Sequence, residues 1–224
     1  MLKQLGIMNR YDCIIFDMDG TLTQTNQLIY DTFNHIAGRY INKHLTNSEI
    51  HALFGPPEEI CIENMIGTQN AGTAMAEYYS FYRNEHERLA VLYPGIIEVL
   101  DFLRAQQVRL ALFTGKGRRT TDITLEQFAI SSYFEMTVTG DDVDEFKPSG
   151  NGILKILERY SLSPEDGLRV GDAVADIKAA RETGVEIASV VWDSYGKEEV
   201  LKLSPDHLFN DVGSFYEWLK KVYA

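Results

Sequence analysis

The 224 residues contain only two cysteines, Cys13 and Cys61. Two cannot make a disulfide framework, and no pairing is expected; the usage fits a reducing cytosol. Cys13 sits inside an apolar run and reads as a small core residue. No stretch approaches the roughly 18 consecutive apolar residues of a membrane helix. The first residues, Met1–Met8, are too short and too weakly apolar for a signal peptide. Positive charge is also in deficit: 21 Lys and Arg stand against 33 Asp and Glu, for a net charge of −12. That balance argues against nucleic acid or an anionic membrane as the main partner. The five histidines show no metal-ligand spacing. The phosphate loop Gly-x-x-x-x-Gly-Lys-Ser/Thr is missing, which disfavours a nucleotide triphosphatase of that type. No internal repeat or low-complexity segment occurs.

The length suits one large domain, or a domain with a small module. Short β-branched or apolar runs recur at Cys13–Phe16, Val108–Phe113, Met136–Thr139, Leu168–Val170 and Ile187–Val191. From about residue 95 onward helical patterns separate them. Their apolar faces are Ile96/Ile97/Val99/Leu100/Leu103, Ile123/Leu125/Phe128, Ile153/Leu154/Ile156/Leu157 and Ile177/Ala179/Ala180. Such alternation predicts an α/β fold, a doubly wound parallel sheet with helices on both faces. Ligands of such sheets bind at the carboxyl ends of the strands.

Residues 23–91 break the alternation. They read as helical throughout, with patterns at Leu28–Ala37, Ile50–Phe54, Ile60–Ile66 and Met75–Tyr82. This predicts a small helical module inserted into the core, with residues 1–22 and 92–224 forming the core. The hinges fall at Leu22–Thr25 and Ala90–Gly95. Pro94-Gly95 is a turn signal that also opens the next helix.

At the end of the first run stands Asp17-Met18-Asp19-Gly20-Thr21-Leu22. Two carboxylates at the end of a buried strand are costly unless something offsets them. A divalent cation is the direct offset, and phosphoryl chemistry its direct use. Residues i and i+2 of a strand share a side, so Asp17 and Asp19 can face one site. Gly20 permits a sharp turn that brings backbone N–H groups toward a phosphate. Other notable pieces follow strand ends: Thr114-Gly115, Lys147-Pro148, and Gly171-Asp172-Ala173-Val174-Ala175-Asp176. Taken alone, Thr-Gly and Lys-Pro are common turns, and Asp176 suits the first turn of a helix.

The four pieces, in this order, resemble the signature set of the haloacid dehalogenase-like phosphohydrolases, over nearly the whole chain. The resemblance implies a Rossmann-like core with a helical cap inserted after the first motif. It implies Asp17 as nucleophile, Asp19 as general acid and base, and Lys147 as the neutralising cation. Gly20, Thr114, Gly115 and Lys147 would bind the phosphoryl group. Mg²⁺ would be held by the Asp17 side chain, the Asp19 carbonyl and Asp172, with Asp176 supporting or ligating through water. The presence of Asp19 points to phosphate transfer, because the dehalogenase branch lacks this second aspartate.

The expected activity is therefore that of a Mg²⁺-dependent phosphatase acting on a small phosphorylated metabolite, similar to phosphoglycolate phosphatases. A β-phosphoglucomutase-like mutase, an inorganic pyrophosphatase and a phosphate-sensing binding module are the alternatives. The mutase branch usually carries a histidine just beyond the first hinge. Here Thr25–Tyr30 has none, and His35 lies further on. The turn Gly55-Pro56-Pro57-Glu58-Glu59 resembles a specificity loop, though a plain helix–helix turn explains it equally. Lys116-Gly117-Arg118-Arg119 reads first as a solvated helix start, and second as an attractor for an anionic leaving group. A cytoplasmic monomer is the default, with a weak homodimer left open.

Overall fold

The computed structural model describes residues 11–194 and 196–224. The reading of Met1–Met8 lies outside the described residues. In chain order, β1 is Cys13–Phe16 and β2 is Thr23–Gln24; α1 (Asn26–Ile41), α2 (Asn47–His51), α3 (Glu58–Ile66) and α4 (Thr68–Leu89) follow, then β3 (Val91–Leu92). The rest alternates: α5 (Ile96–Ala105), β4 (Arg109–Phe113), α6 (Arg118–Gln127), β5 (Met136–Val138), α7 (Asn151–Tyr160), β6 (Gly167–Gly171), α8 (Val174–Thr183), β7 (Glu186–Val190), α9 (Lys197–Lys202), β8 (His207–Phe209) and α10 (Val212–Val222).

Among the described residues the main sheet has six strands in the order β5-β4-β1-β6-β7-β8. Every neighbouring pair is parallel. The α/β, doubly wound expectation is borne out. Side-chain alternation along β1 explains the two-faced core. Ile14 and Phe16 join Leu110, Leu112, Leu168 and Val170 in a cluster roofed by α5 and α10. Cys13 and Ile15 join Ala111, Phe113 and the apolar face of α7 on the other side. Cys13 is fully buried, and burial pushes its thiol up to about 12. Both cysteines are free thiols.

Three elements of the core escaped the sequence reading: the short helix α9, the three-residue β8, and α10 behind it. Residues 23–91 also differ from an all-helical reading at their two ends. Thr23 pairs with Leu92 and Gln24 with Val91 in an antiparallel ribbon. Two residues are too few to show a period of two, so the pattern was silent. The ribbon ties the outgoing and returning chains together where the helical module joins the sheet.

The module has its own core of Leu28, Phe33, Ile36, Ile62, Tyr78 and Tyr82. Helix α6 belongs to the alternating part of the chain, yet Ile123 packs into this module core while Leu125 packs into the main one. Residues two apart on a helix project about 200° apart, so one helix can serve both. No helix among the described residues is long and apolar enough to cross a membrane.

Candidate active site

Asp17 continues β1 by one hydrogen bond, its N–H donating to the Val170 carbonyl at 2.8 Å. That places its carboxylate at the carboxyl edge of the sheet, 6% exposed. Lys147 arrives from the loop after β5. Its Nζ donates to Asp17 Oδ1 at 2.7 Å and to Asp176 Oδ1 at 3.0 Å. Burial alone would push this lysine down, but Asp17 and Asp176 hold it above its ordinary value. For Asp17 burial wins, and its carboxyl stands above the usual range despite Lys147.

Asp172 follows β6, buried. Thr21 Oγ1 donates to its Oδ1 at 3.4 Å, a long contact. Burial, then repulsion from Asp17 and Asp176, raises its carboxyl well above normal. Carboxylate oxygens of Asp17, Asp172 and Asp176 can lie within 4.8 Å of one another. Undercompensated buried carboxylates this close suit a hard divalent cation with oxygen ligands. Asp176 differs from the other two. Its Oδ1 accepts from Arg169 at 2.6 Å as well as from Lys147, and its Oδ2 accepts from the Ala173 N–H at 3.1 Å. Burial would raise it, but the Lys147 and Arg169 cations hold it down to about 2. It is both a helix-capping acid and the counter-ion of two cations.

Gly20 sits at φ +79°, where a Cβ would lie 2.4 Å from Asp172 Oδ2. Its own N–H donates to the Thr23 carbonyl at 2.8 Å. The expectation that Gly20 turns N–H groups toward a phosphate is therefore corrected for its own N–H, which closes the turn instead. What the glycine supplies is clearance for Asp172. Thr114 directly follows β4, buried, and its Oγ1 accepts from the Lys116 N–H at 3.2 Å. Gly115 lies between the Gly55 carbonyl and the Lys147 side chain, 3.5 and 3.7 Å from an added Cβ.

Asp19 lines the same cavity as Asp17 but turns toward the module. Thr25 Oγ1 donates to its Oδ1, and Lys116 Nζ lies 3.1 Å from its Oδ2. Lys116 is 7% exposed, 4.8 Å from the Tyr82 ring centroid and 3.8 Å from Glu58 Oε1. The solvated reading of residues 116–119 is corrected for this residue: the module closes over it. Burial would lower Lys116, but Asp19 raises it above its ordinary value. Glu58, from the Gly55–Glu59 turn, reaches across to the start of α6. Gly117 N–H and Thr120 Oγ1 both donate to it, each at 2.7 Å. The turn thus contacts the core and lines the cavity. His35 instead stacks on Phe81 at 4.5 Å and is not among the residues lining that cavity.

Sequence reasoning missed Arg169, whose side chain is fully buried beneath the site. Its guanidinium donates to the Phe113 carbonyl at 2.8 Å and lies 3.5 Å from Asp17 Oδ1. The available signal was a charge inside the apolar run Leu168-Arg169-Val170.

A family model for haloacid dehalogenase-like hydrolases matches residues 14–190. The pyrophosphatase PpaX of Anoxybacillus flavithermus is 31% identical over 199 residues, 89% of this chain and 92% of that protein. The PpaX of Bacillus velezensis is 29% identical over 91% of this chain and 94% of its own length. A crystal structure of a predicted phosphoglycolate phosphatase from Haemophilus somnus superposes with a TM-score of 0.82 at 21% identity, covering 94% of this chain and 99% of that one. CbbY from Rhodobacter sphaeroides, solved with phosphate, gives 0.76 at 19% identity, over 92% and 96%. These two structures bear on the fold alone.

Proposed function

The chain belongs to the haloacid dehalogenase-like hydrolases, and on that premise we propose that it is a Mg²⁺-dependent phosphatase of small phosphorylated metabolites. The observation that carries the reading is the contact between Asp17 and Lys147 at the cavity floor, beside an undercompensated Asp172. Asp17, Asp172 and the Asp19 carbonyl are the proposed metal ligands. Asp176 serves the site chiefly through Lys147 and Arg169. The ion, when bound, supplies charge neutralisation at the phosphoryl oxygens and orients the phosphoryl group for in-line attack.

The steps belong to the side chains. An Asp17 carboxylate oxygen forms a bond to phosphorus while the bond to the leaving oxygen breaks. Asp19 gives that oxygen a proton. Water then attacks the aspartyl-phosphate, Asp19 takes the water proton, and the bond from phosphorus to Asp17 breaks. Lys147 offsets charge on Asp17 and on the transferring group throughout. Thr114 and Gly115 border the phosphoryl position. Residues 23–91 act as a cap that excludes water from the first step and shapes the leaving-group space.

The names of the relatives raise two candidate substrates, pyrophosphate and phosphoglycolate. The test is phosphate release from those two, several sugar phosphates and a phosphate ester of an uncharged alkyl alcohol, with Mg²⁺ and again with excess EDTA. Metal-dependent release supports the reading. Folded protein that releases phosphate from none of them removes it.

A further inference from the structure

Above Asp17 the cavity opens to about 560 Å³ between the sheet edge and the helical module. The floor and the upper part have different chemistry. The floor holds Asp17, Asp172 and Lys147. The upper wall is mostly apolar, with Ile29 and Phe33 from α1 and Phe54 and Pro56 from the turn before α3, beside Asn26 and His51, whose imidazole burial holds below its ordinary value.

A second anionic group on the substrate would need a cation there. Lys147 is committed to Asp17 and Asp176. Lys116 is shared between two carboxylates, Asp19 at 3.1 Å and Glu58 at 3.8 Å. At the rim Lys178 and Glu199 contribute one charge of each sign. The start of α6 is the other feature that would draw an anion, through its free N–H groups and dipole. Glu58 already occupies it. One carboxylate oxygen takes the Gly117 N–H and the other takes the Thr120 hydroxyl. The wall beside the leaving group thus offers no spare positive charge: Lys116, the cation beside Glu58, is shared with Asp19.

Resting on the phosphatase reading, we propose that Glu58 is a specificity-determining residue that selects against anionic leaving groups. The substrates are phosphomonoesters of an uncharged, partly apolar alcohol, and pyrophosphate and phosphoglycolate are poor substrates. A carboxylate or phosphate in this space meets Glu58 across a poorly solvated gap, where like charges repel strongly. An alkyl group meets Ile29, Phe33 and Phe54 and loses nothing polar.

The experiment compares kcat/KM for phosphoglycolate, pyrophosphate and isobutyl phosphate, which matches phosphoglycolate in shape with two methyls in place of the carboxylate oxygens. The wild-type protein with Mg²⁺ is expected to favour isobutyl phosphate over both anionic compounds by about tenfold or more. Glu58→Gln keeps the shape and can still bond Gly117 and Thr120. It is expected to narrow the ratio of isobutyl phosphate to phosphoglycolate by about fivefold, through a lower KM for phosphoglycolate. Wild-type preference for pyrophosphate or phosphoglycolate overturns the proposal, and so does a ratio that Glu58→Gln leaves unmoved. Release from none of the three, nor from any sugar phosphate, would sink the phosphatase reading itself and the proposal with it.

Discussion

Arg169 and Asp176, seven residues apart in the chain, meet at 2.6 Å with both side chains fully buried. The pair links the strand before the site to the first turn of the helix after it. Asp176 in turn fixes Lys147, and Lys147 reaches Asp17. Position in the cavity floor is therefore passed along one chain of buried charges.

Breaking a buried pair from one side leaves the other charge uncompensated, which typically costs about 3–5 kcal/mol. Arg169→Met is expected to lower unfolding free energy by roughly that amount. Arg169→Lys, which keeps the charge, should recover part of it. Urea unfolding of the three proteins at pH 7 measures both. Equal midpoints for Met and Arg at this position would show that the pair contributes no net stability.

Asp17→Asn removes the proposed nucleophile while keeping its shape. Turnover should fall by about a thousandfold or more, with the far-ultraviolet circular dichroism unchanged. Wild-type rates in this variant would remove Asp17 from the covalent step.

Asp19→Asn should act selectively. An aryl phosphate has a good leaving group and needs little protonation, whereas an alkyl phosphate needs it most. The variant's loss in kcat is expected to be at least about tenfold greater with the alkyl ester. The same loss with both esters would argue that Asp19 positions groups and transfers no proton.

Gly20→Ala places a Cβ 2.4 Å from Asp172 Oδ2, at a φ of +79° that L-residues resist. The carboxylate must move. Mg²⁺ affinity, read by titration calorimetry, should drop about tenfold or more. Unchanged affinity would mean that Asp172 does not ligate the ion from its present position.

His86, from α4, is buried against Tyr82 and Phe128, and its Nε2 has no hydrogen-bond partner among the described residues. Burial, aided by the Lys116 charge, pushes it down to about 4 from 6.5. Between those values the unfolded chain binds the proton more readily, so stability rises with pH across the window. His86 contributes fully above pH 6.5 and loses its contribution as pH falls toward 4. The loss is expected to be about 2 kcal/mol. His86→Leu should flatten that part of the curve in urea melts at pH 7, 6, 5 and 4, leaving the carboxylate contribution common to both proteins. Parallel curves would show that His86 titrates normally.

Much of this could be read along the chain. The five short, mostly apolar runs became five strands of the sheet, because a parallel strand buried on both faces is rich in hydrophobic residues. Residues Leu28 to Ala37 became the buried face of α1, since the period of 3.6 survives any tertiary context. Asp17 and Asp19 could be singled out because charge at the end of such a run is conspicuous, and Asp172 through the resemblance of its motif to the family set. Strand β8, His207-Leu208-Phe209, carries no β-branched residue and opens on a histidine, and the ribbon strands β2 and β3 are two residues long, so neither stood out.

The tertiary structure decided what the charges do. Local sequence makes Lys116 the start of a polar helix, yet the fold seals it under Tyr82 and between Asp19 and Glu58. Glu58 and Gly117 lie 59 residues apart and meet only because the module folds back onto α6. Asp176 is by resemblance a candidate metal-site residue, and by contact the partner of Lys147 and Arg169. Periodicity and turn chemistry are local, so the sequence by itself determined the elements and the order of the motifs. Electrostatic partnership depends on which distant side chains share one desolvated volume, and that was settled only when the chain closed on itself.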